Sequence, residues 1–214
     1  MMRTLTRVIL AGGLLSFSGC IPSLHPLYTE NDIVFDGGLV GEWSEDNARD
    51  TWTFAASSTN RYSLVHIDRN GNPGRFDVVL AEIGGHLFLN FFPETPTDLK
   101  NLFYRYHLLS IHTFAHVQQI EPTLQMRFPD PEWLEEHLKE HPDEIRHEVV
   151  GDGIILSATT EDMQTFWLQH LSTDGAFGDA SNMKRLASRS PIDKSIDAVE
   201  QRSLAPYVSP AYTE

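Results

Sequence analysis

The chain has a single cysteine, Cys20, so no disulfide can form within it and the fold must hold by burying its own apolar side chains. Basic residues are also scarce: 16 Lys and Arg stand against 30 Asp and Glu, a formal charge of −14. That balance opposes binding to nucleic acid and electrostatic attraction to anionic lipid headgroups. The acids are dispersed, with no block of five or six, so they describe a solvated surface and not an acidic tail. No glycine-rich phosphate loop, dinucleotide pattern or G-x-S-x-G elbow occurs, and no cofactor is expected. No apolar run approaches the ~20 residues of a membrane-spanning helix. The longest at the N-terminus, Val8 to Leu15, would extend roughly 12 Å as a helix.

What is present begins with that short run. Arg3 and Arg7 precede it and the small residues Ser16, Ser18 and Gly19 follow, which are the three parts of a secretory signal. Phe17-Ser18-Gly19-Cys20 resembles the lipobox of bacterial lipoproteins, with Phe17 where Leu is usual. The resemblance implies removal of residues 1–19, a diacylglyceryl thioether on Cys20 and a further acyl chain on its new amino terminus. Several chains anchor stably where one binds only marginally. Ile21 after the cysteine implies an outer-membrane destination under the family's sorting pattern. An acylated Cys20 is neither nucleophile nor metal ligand. The remaining chain, 14 basic against 30 acidic residues once Arg3 and Arg7 are lost, carries −16.

Residues 20–36 read as a lipidated N-terminus and tether, but Leu24, Leu27, Tyr28, Ile33, Val34 and Phe35 are costly to leave in water. The expectation is a tether that folds back, with Leu24, Leu27 and Tyr28 on the body. Residues 37–187 read as one β-rich domain and 188–214 as a disordered tail. Strand patterns fall at Leu39–Trp43, Asp50–Ala55, Arg61–Ile67, Arg75–Ile83 and His86–Phe92, with Asn70-Gly71 and Gly84-Gly85 as turns. Tyr104–Gln119 reads as one bent strand or two, followed by strands over Thr123–Phe128 and Gly153–Ala158. Asp130-Pro131 opens a helix stopped by Pro142. Met163, Phe166, Trp167, His170 and Leu171 fall on one stripe of a second helix, capped by Thr159 or Thr160.

Gly41-Glu42-Trp43 resembles the G-x-W that opens the first strand of lipocalin-type barrels, where the Trp closes the barrel floor. The resemblance, at the head of a β meander, implies a mainly β (α+β) fold: an antiparallel lipocalin-like barrel or strongly bent sheet with two packed helices. Such an interior is either filled or holds one small ligand. Inward aromatics Trp43, Trp52, Phe54, Phe88 and Phe91 would line a cavity, or fill the core if there is none. More broadly, residues 20–43 resemble a group of bacterial envelope lipoproteins. That resemblance implies the anchor and adds no chemistry.

His137-Leu138-Lys139-Glu140-His141 matches H-x-x-E-H, in which two helical imidazoles hold zinc and the Glu serves as base. Pro142 at the helix end and Lys139 beside the site weigh against metal there. His107, His112 and His116, in a strand, would not converge on one ion. The expected function is therefore that of a lipid-anchored envelope protein. It would bind, without catalysis, a small apolar ligand or an envelope component. A zinc hydrolase and an assembly module with a filled barrel are the alternatives. The catalytic set is then empty, and the partners are the membrane through Cys20 and such a ligand or envelope protein.

Overall fold

The computed structural model describes residues 20–57, 60–95, 100–151 and 153–187. The expected signal segment, 1–19, and the expected disordered tail, 188–214, lie outside the described residues. The strands are β1 (Ile33–Val34), β2 (Gly41–Glu45), β3 (Thr51–Ala56), β4 (Tyr62–Ile67), β5 (Pro73–Ile83), β6 (His86–Pro93), β7 (Thr113–Gln119), β8 (Thr123–Arg127), β9 (His147–Val150), β10 (Gly153–Leu156) and β11 (Ser181–Arg185). The helices are α1 (Leu102–Arg105), α2 (Pro131–Glu140) and α3 (Thr160–His170), with a short 3-10 turn at Gly37–Leu39.

Strands β2 to β8 pair in sequence order, β11 bridges β8 and β2, and the β5–β6 pairing completes a closed antiparallel barrel of eight strands. Strand β1 adds to the edge of β5, and β9–β10 form a separate hairpin. This up-and-down order is that of a lipocalin-like barrel. Closure removes the unpaired edges an open sheet would expose.

Period-2 alternation divides the apolar side chains between two cores. One lies within the barrel: Trp43, Phe54, Tyr62, Leu64, Val78, Leu80, Leu89, Phe91, Leu124, Met126 and Met183 are all buried there. The other lies outside the wall of β5, β6 and β7. There Ala81, Ile83, Phe88 and Phe114 meet Leu134 and Leu138 of α2 and Met163, Phe166 and Trp167 of α3. Four of the expected cavity aromatics thus belong to the barrel interior or its rim, while Phe88 faces the helices. It lies one residue from Leu89 and therefore on the opposite face.

The helices form where the caps are. Asp130 accepts a bond from the Trp133 amide and Pro131 occupies the first turn, while Thr159 accepts from the Asp162 amide. The expected stripe on α3 is buried at Met163, Phe166, Trp167 and His170.

Three departures have local causes. The expected strand over Tyr104–Gln119 begins only at Thr113, because the Asn101 side chain caps the Tyr104 amide and starts α1. Strand β11 has one buried residue, Met183, among Ser, Asn, Lys and Arg, so hydrophobic alternation does not mark it. Strand β9 is largely exposed and owes its pairing to β10.

Residues 21–34, the segment expected to be a tether, pack on the body. Ile21 and Leu27 are buried, Tyr28 packs on the helical core, and Ser23 bridges both His112 and Leu156. Leu24 is the exception: it stays 38% exposed, since its backbone bonds to Leu156 while its neighbour Ser23 takes the inward position.

Candidate functional site

Three features compete for function: the barrel interior, one barrel end and a histidine cleft. In an up-and-down barrel alternate connections gather at opposite ends. The 3-10 turn, the C-terminal end of β3, the 84–85 turn and the C-terminal end of β11 share one end. It is shut: Leu39 and Trp43 are fully buried, Trp43 Nε1 donates to the Leu39 carbonyl (2.9 Å), and the Arg185 guanidinium covers the Trp43 ring at 4.3 Å. Arg185 also donates to the carbonyls of Val40 (2.5 Å) and Gly38 and to Glu121 (3.0 Å). Gly41 has φ +149°, and a Cβ there would sit 2.1 Å from Arg185 Nη1.

The opposite end carries the β6–β7 connection. Trp52 meets His66 (4.6 Å), Phe91 (5.8 Å) and Phe128 (6.5 Å), making a half-buried aromatic mouth. In the β6–β7 connection Leu102, Phe103, Tyr104, Tyr106, Leu108 and Leu109 are exposed, Phe103 at 75% and Tyr106 at 79%. Three residues past Leu109, His112 exchanges two 2.9 Å backbone bonds with Ser23, itself three residues past Cys20. Asn90 fixes this junction, accepting from the Leu27 amide (3.1 Å) and lying 3.0 Å from His112 Nδ1.

The cleft lies between α2 and α3 and measures about 610 Å³, lined by His137, His141, Pro142, Asp143, Glu144, Gln169 and His170. Pro142 ends α2, the chain turns, and Ile145 buries itself in the helical core, which sets Glu144 beside both helices. One carboxylate oxygen of Glu144 lies 2.5 Å from His137 Nε2 and the other 2.9 Å from His170 Nε2. Partial burial acts to raise the Glu144 carboxyl, but hydrogen bonds and charge from His170 and His137 outweigh it and hold it below the usual range. Trp133 stacks on the His137 ring (4.7 Å, 14°), and Phe166 lies 4.6 Å from the His170 ring.

No family model, curated protein or solved structure matches this chain.

The H-x-x-E-H residues are therefore regrouped. His137 and His141 both line the cleft, with rings 4.9 Å apart, but Glu140 is exposed and does not line it. The place expected of that Glu is taken by Glu144, with His170 from the other helix. His112 and His116 do not share a site: His112 contacts Asn90 and Phe92, His116 contacts Phe88 and His86. His107 sits at the end of α1, bonded to the Phe103 carbonyl. The missed residue, Glu144, follows a proline in a turn and carries no periodic or motif signal. His170 was legible only as part of an apolar stripe.

Proposed function

We propose that the chain is a lipid-anchored envelope protein that binds without catalysis, using its surface and not its barrel interior. On this reading the envelope component it binds is the bilayer itself. The end bearing Cys20 and residues 102–109 lies against the outer-membrane leaflet, and the closed end is presented away from it.

The Ser23–His112 pairing carries the reading. Three residues span at most about 11 Å. Both the acyl attachment point and the exposed apolar segment therefore start from one place on one barrel end. A soluble monomer seldom leaves so many large apolar side chains together in water. Leu, Phe and Tyr mixed with Arg105 and His107 are the composition of an interfacial segment. With a charge of −16 once residues 1–19 are removed, the protein is not drawn to anionic headgroups, so its attraction to lipid must come from apolar burial. Acyl chains would hold the protein at the membrane, and the segment would fix its orientation. Among the described residues no helix is long and apolar enough to cross a membrane.

The aromatic mouth favours a second, narrower reading. An apolar ligand would have its place at Trp52, Phe91 and Phe128, entering from the membrane side, because the interior beyond holds the buried side chains of the barrel core.

The test places a Cys at Phe103, labels it with an environment-sensitive dye in the lipidated protein, and measures quenching by spin-labelled lipid in vesicles. Ala56→Cys, at the closed end, is the comparison. Strong quenching at 103 and none at 56 is the expected result; equal quenching at both overturns the orientation. Maleimide reaction of the unsubstituted protein at Cys20 would separately overturn the anchor.

A further inference from the structure

We infer that His137, Glu144 and His170 form a binding site for one divalent first-row transition-metal ion, with Zn²⁺ the best chemical match. This rests on the cleft alone and is independent of the membrane reading.

Ligand atoms of the three side chains all lie within 4.8 Å of one another. Around a tetrahedral ion with bonds near 2.0–2.2 Å, ligand atoms stand about 3.3–3.6 Å apart. The present separations, 2.5 and 2.9 Å from each Nε2 to the carboxylate, need only a backward shift of Glu144 by under about 1 Å. Glu144 sits on a turn, so the shift moves no helix. Two imidazoles and one carboxylate suit zinc and exclude the all-oxygen preference of Ca²⁺ and Mg²⁺.

The surroundings are those of a held ligand set. His170 is only 8% exposed, and its Nδ1 lies 3.3 Å from Thr173 Oγ1, which leaves Nε2 for the ion. The His137 ring is fixed by its stack on Trp133, and Phe166 walls off the inner side of both rings. The outer side opens into the cleft. There His141, a helix C-cap residue, can turn its exposed ring inward as fourth ligand. Because Glu140 lies outside the cleft, the arrangement supplies no base corresponding to that of the H-x-x-E-H pattern. The ion's role is a clasp joining the α2–β9 connector to α3.

The test uses tag-free full-length protein freed of metal by chelation. Co²⁺ should bind one to one with the strong visible absorption of four-coordinate geometry, Zn²⁺ should displace it, and Zn²⁺ should raise the melting temperature in a concentration-dependent way. Glu144→Gln keeps the shape and removes the anionic ligand, so it should weaken Zn²⁺ binding at least about tenfold. His137→Gln should do the same if the first variant folds poorly, and His107→Ala should change nothing. Absence of both the Co²⁺ band and the Zn²⁺-dependent melting shift in folded wild-type protein overturns the site, leaving a hydrogen-bonded His–Glu–His clasp. Wild-type Zn²⁺ affinity in Glu144→Gln or His137→Gln overturns it equally.

Discussion

The Arg185 guanidinium lies 4.3 Å over the Trp43 ring, joining the last barrel strand to the first. The contact closes the barrel twice. It joins β11 to β2 through side chains where the backbone ladder also joins them, and its donors hold the Gly38 and Val40 carbonyls across the floor. Arg185→Ala should lower unfolding free energy by about 2 kcal/mol in urea titrations, the sum of a partly desolvated cation–π contact and charged hydrogen bonds. Arg185→Lys should recover less than half of it, since an ammonium cannot both lie flat on the ring and reach two carbonyls.

Gly41→Ala should be destabilising for a second reason besides its positive φ. The new methyl would enter the space of Arg185 Nη1. Part of its cost is displacement of the clamp, so Gly41→Ala combined with Arg185→Ala should be less destabilising than the two singles added. A double-mutant cycle on urea midpoints reads this directly. Simple additivity would mean that backbone strain alone accounts for the Gly.

A filled barrel predicts large costs for truncation inside it. Leu64→Ala and Leu89→Ala, at fully enclosed positions, should each cost about 2–5 kcal/mol. Losses below about 1 kcal/mol would indicate an interior with room to spare. Phe103→Ser and Leu109→Ser, by contrast, should leave stability within about 0.5 kcal/mol, because both side chains already sit in water.

Stability should fall with acid in two limbs. Burial beside Phe88, with His86 and Arg127 adding positive charge, pushes His116 down to about 4. The unfolded chain, titrating near the ordinary value of 6.5, then binds the extra proton first. Stability is therefore lost as pH falls from about 6.5 to about 4. Glu144, held below its usual range, adds a further loss at still lower pH as its carboxylate takes up a proton. Urea midpoints against pH should show His116→Gln flattening the upper limb and Glu144→Gln the lower one.

Much of the barrel was legible because its strands obey a rule that sequence can carry. Trp52 and Phe54, or Tyr62 and Leu64, alternate with polar residues, and Gly41-Glu42-Trp43 marks where the meander starts. The strand that completes it was not legible. Ser181–Arg185 buries only Met183, and its place comes from ladders on both sides and from Arg185 crossing to Trp43. The apolar face of β6 shows the limit of periodicity in another way. Phe88 and Phe91 both looked inward, yet a barrel with helices against its wall has two buried faces, and only pairing assigns each side chain to one. The histidine cleft was half visible. His137 and His141 stood out as a motif, but their partner is Glu144, placed by Pro142 and the burial of Ile145, and His170, which arrives from another helix. Such convergence is set by packing over long sequence separations, which no local spacing records.

Mass spectrometry of the N-terminal peptide from membrane-extracted protein tests the proposed anchor at Cys20 most directly. The expected peptide begins at Cys20 and carries the mass of a diacylglyceryl group and an additional acyl chain. A peptide that continues upstream of Cys20, or one whose Cys20 is a free thiol, would contradict it.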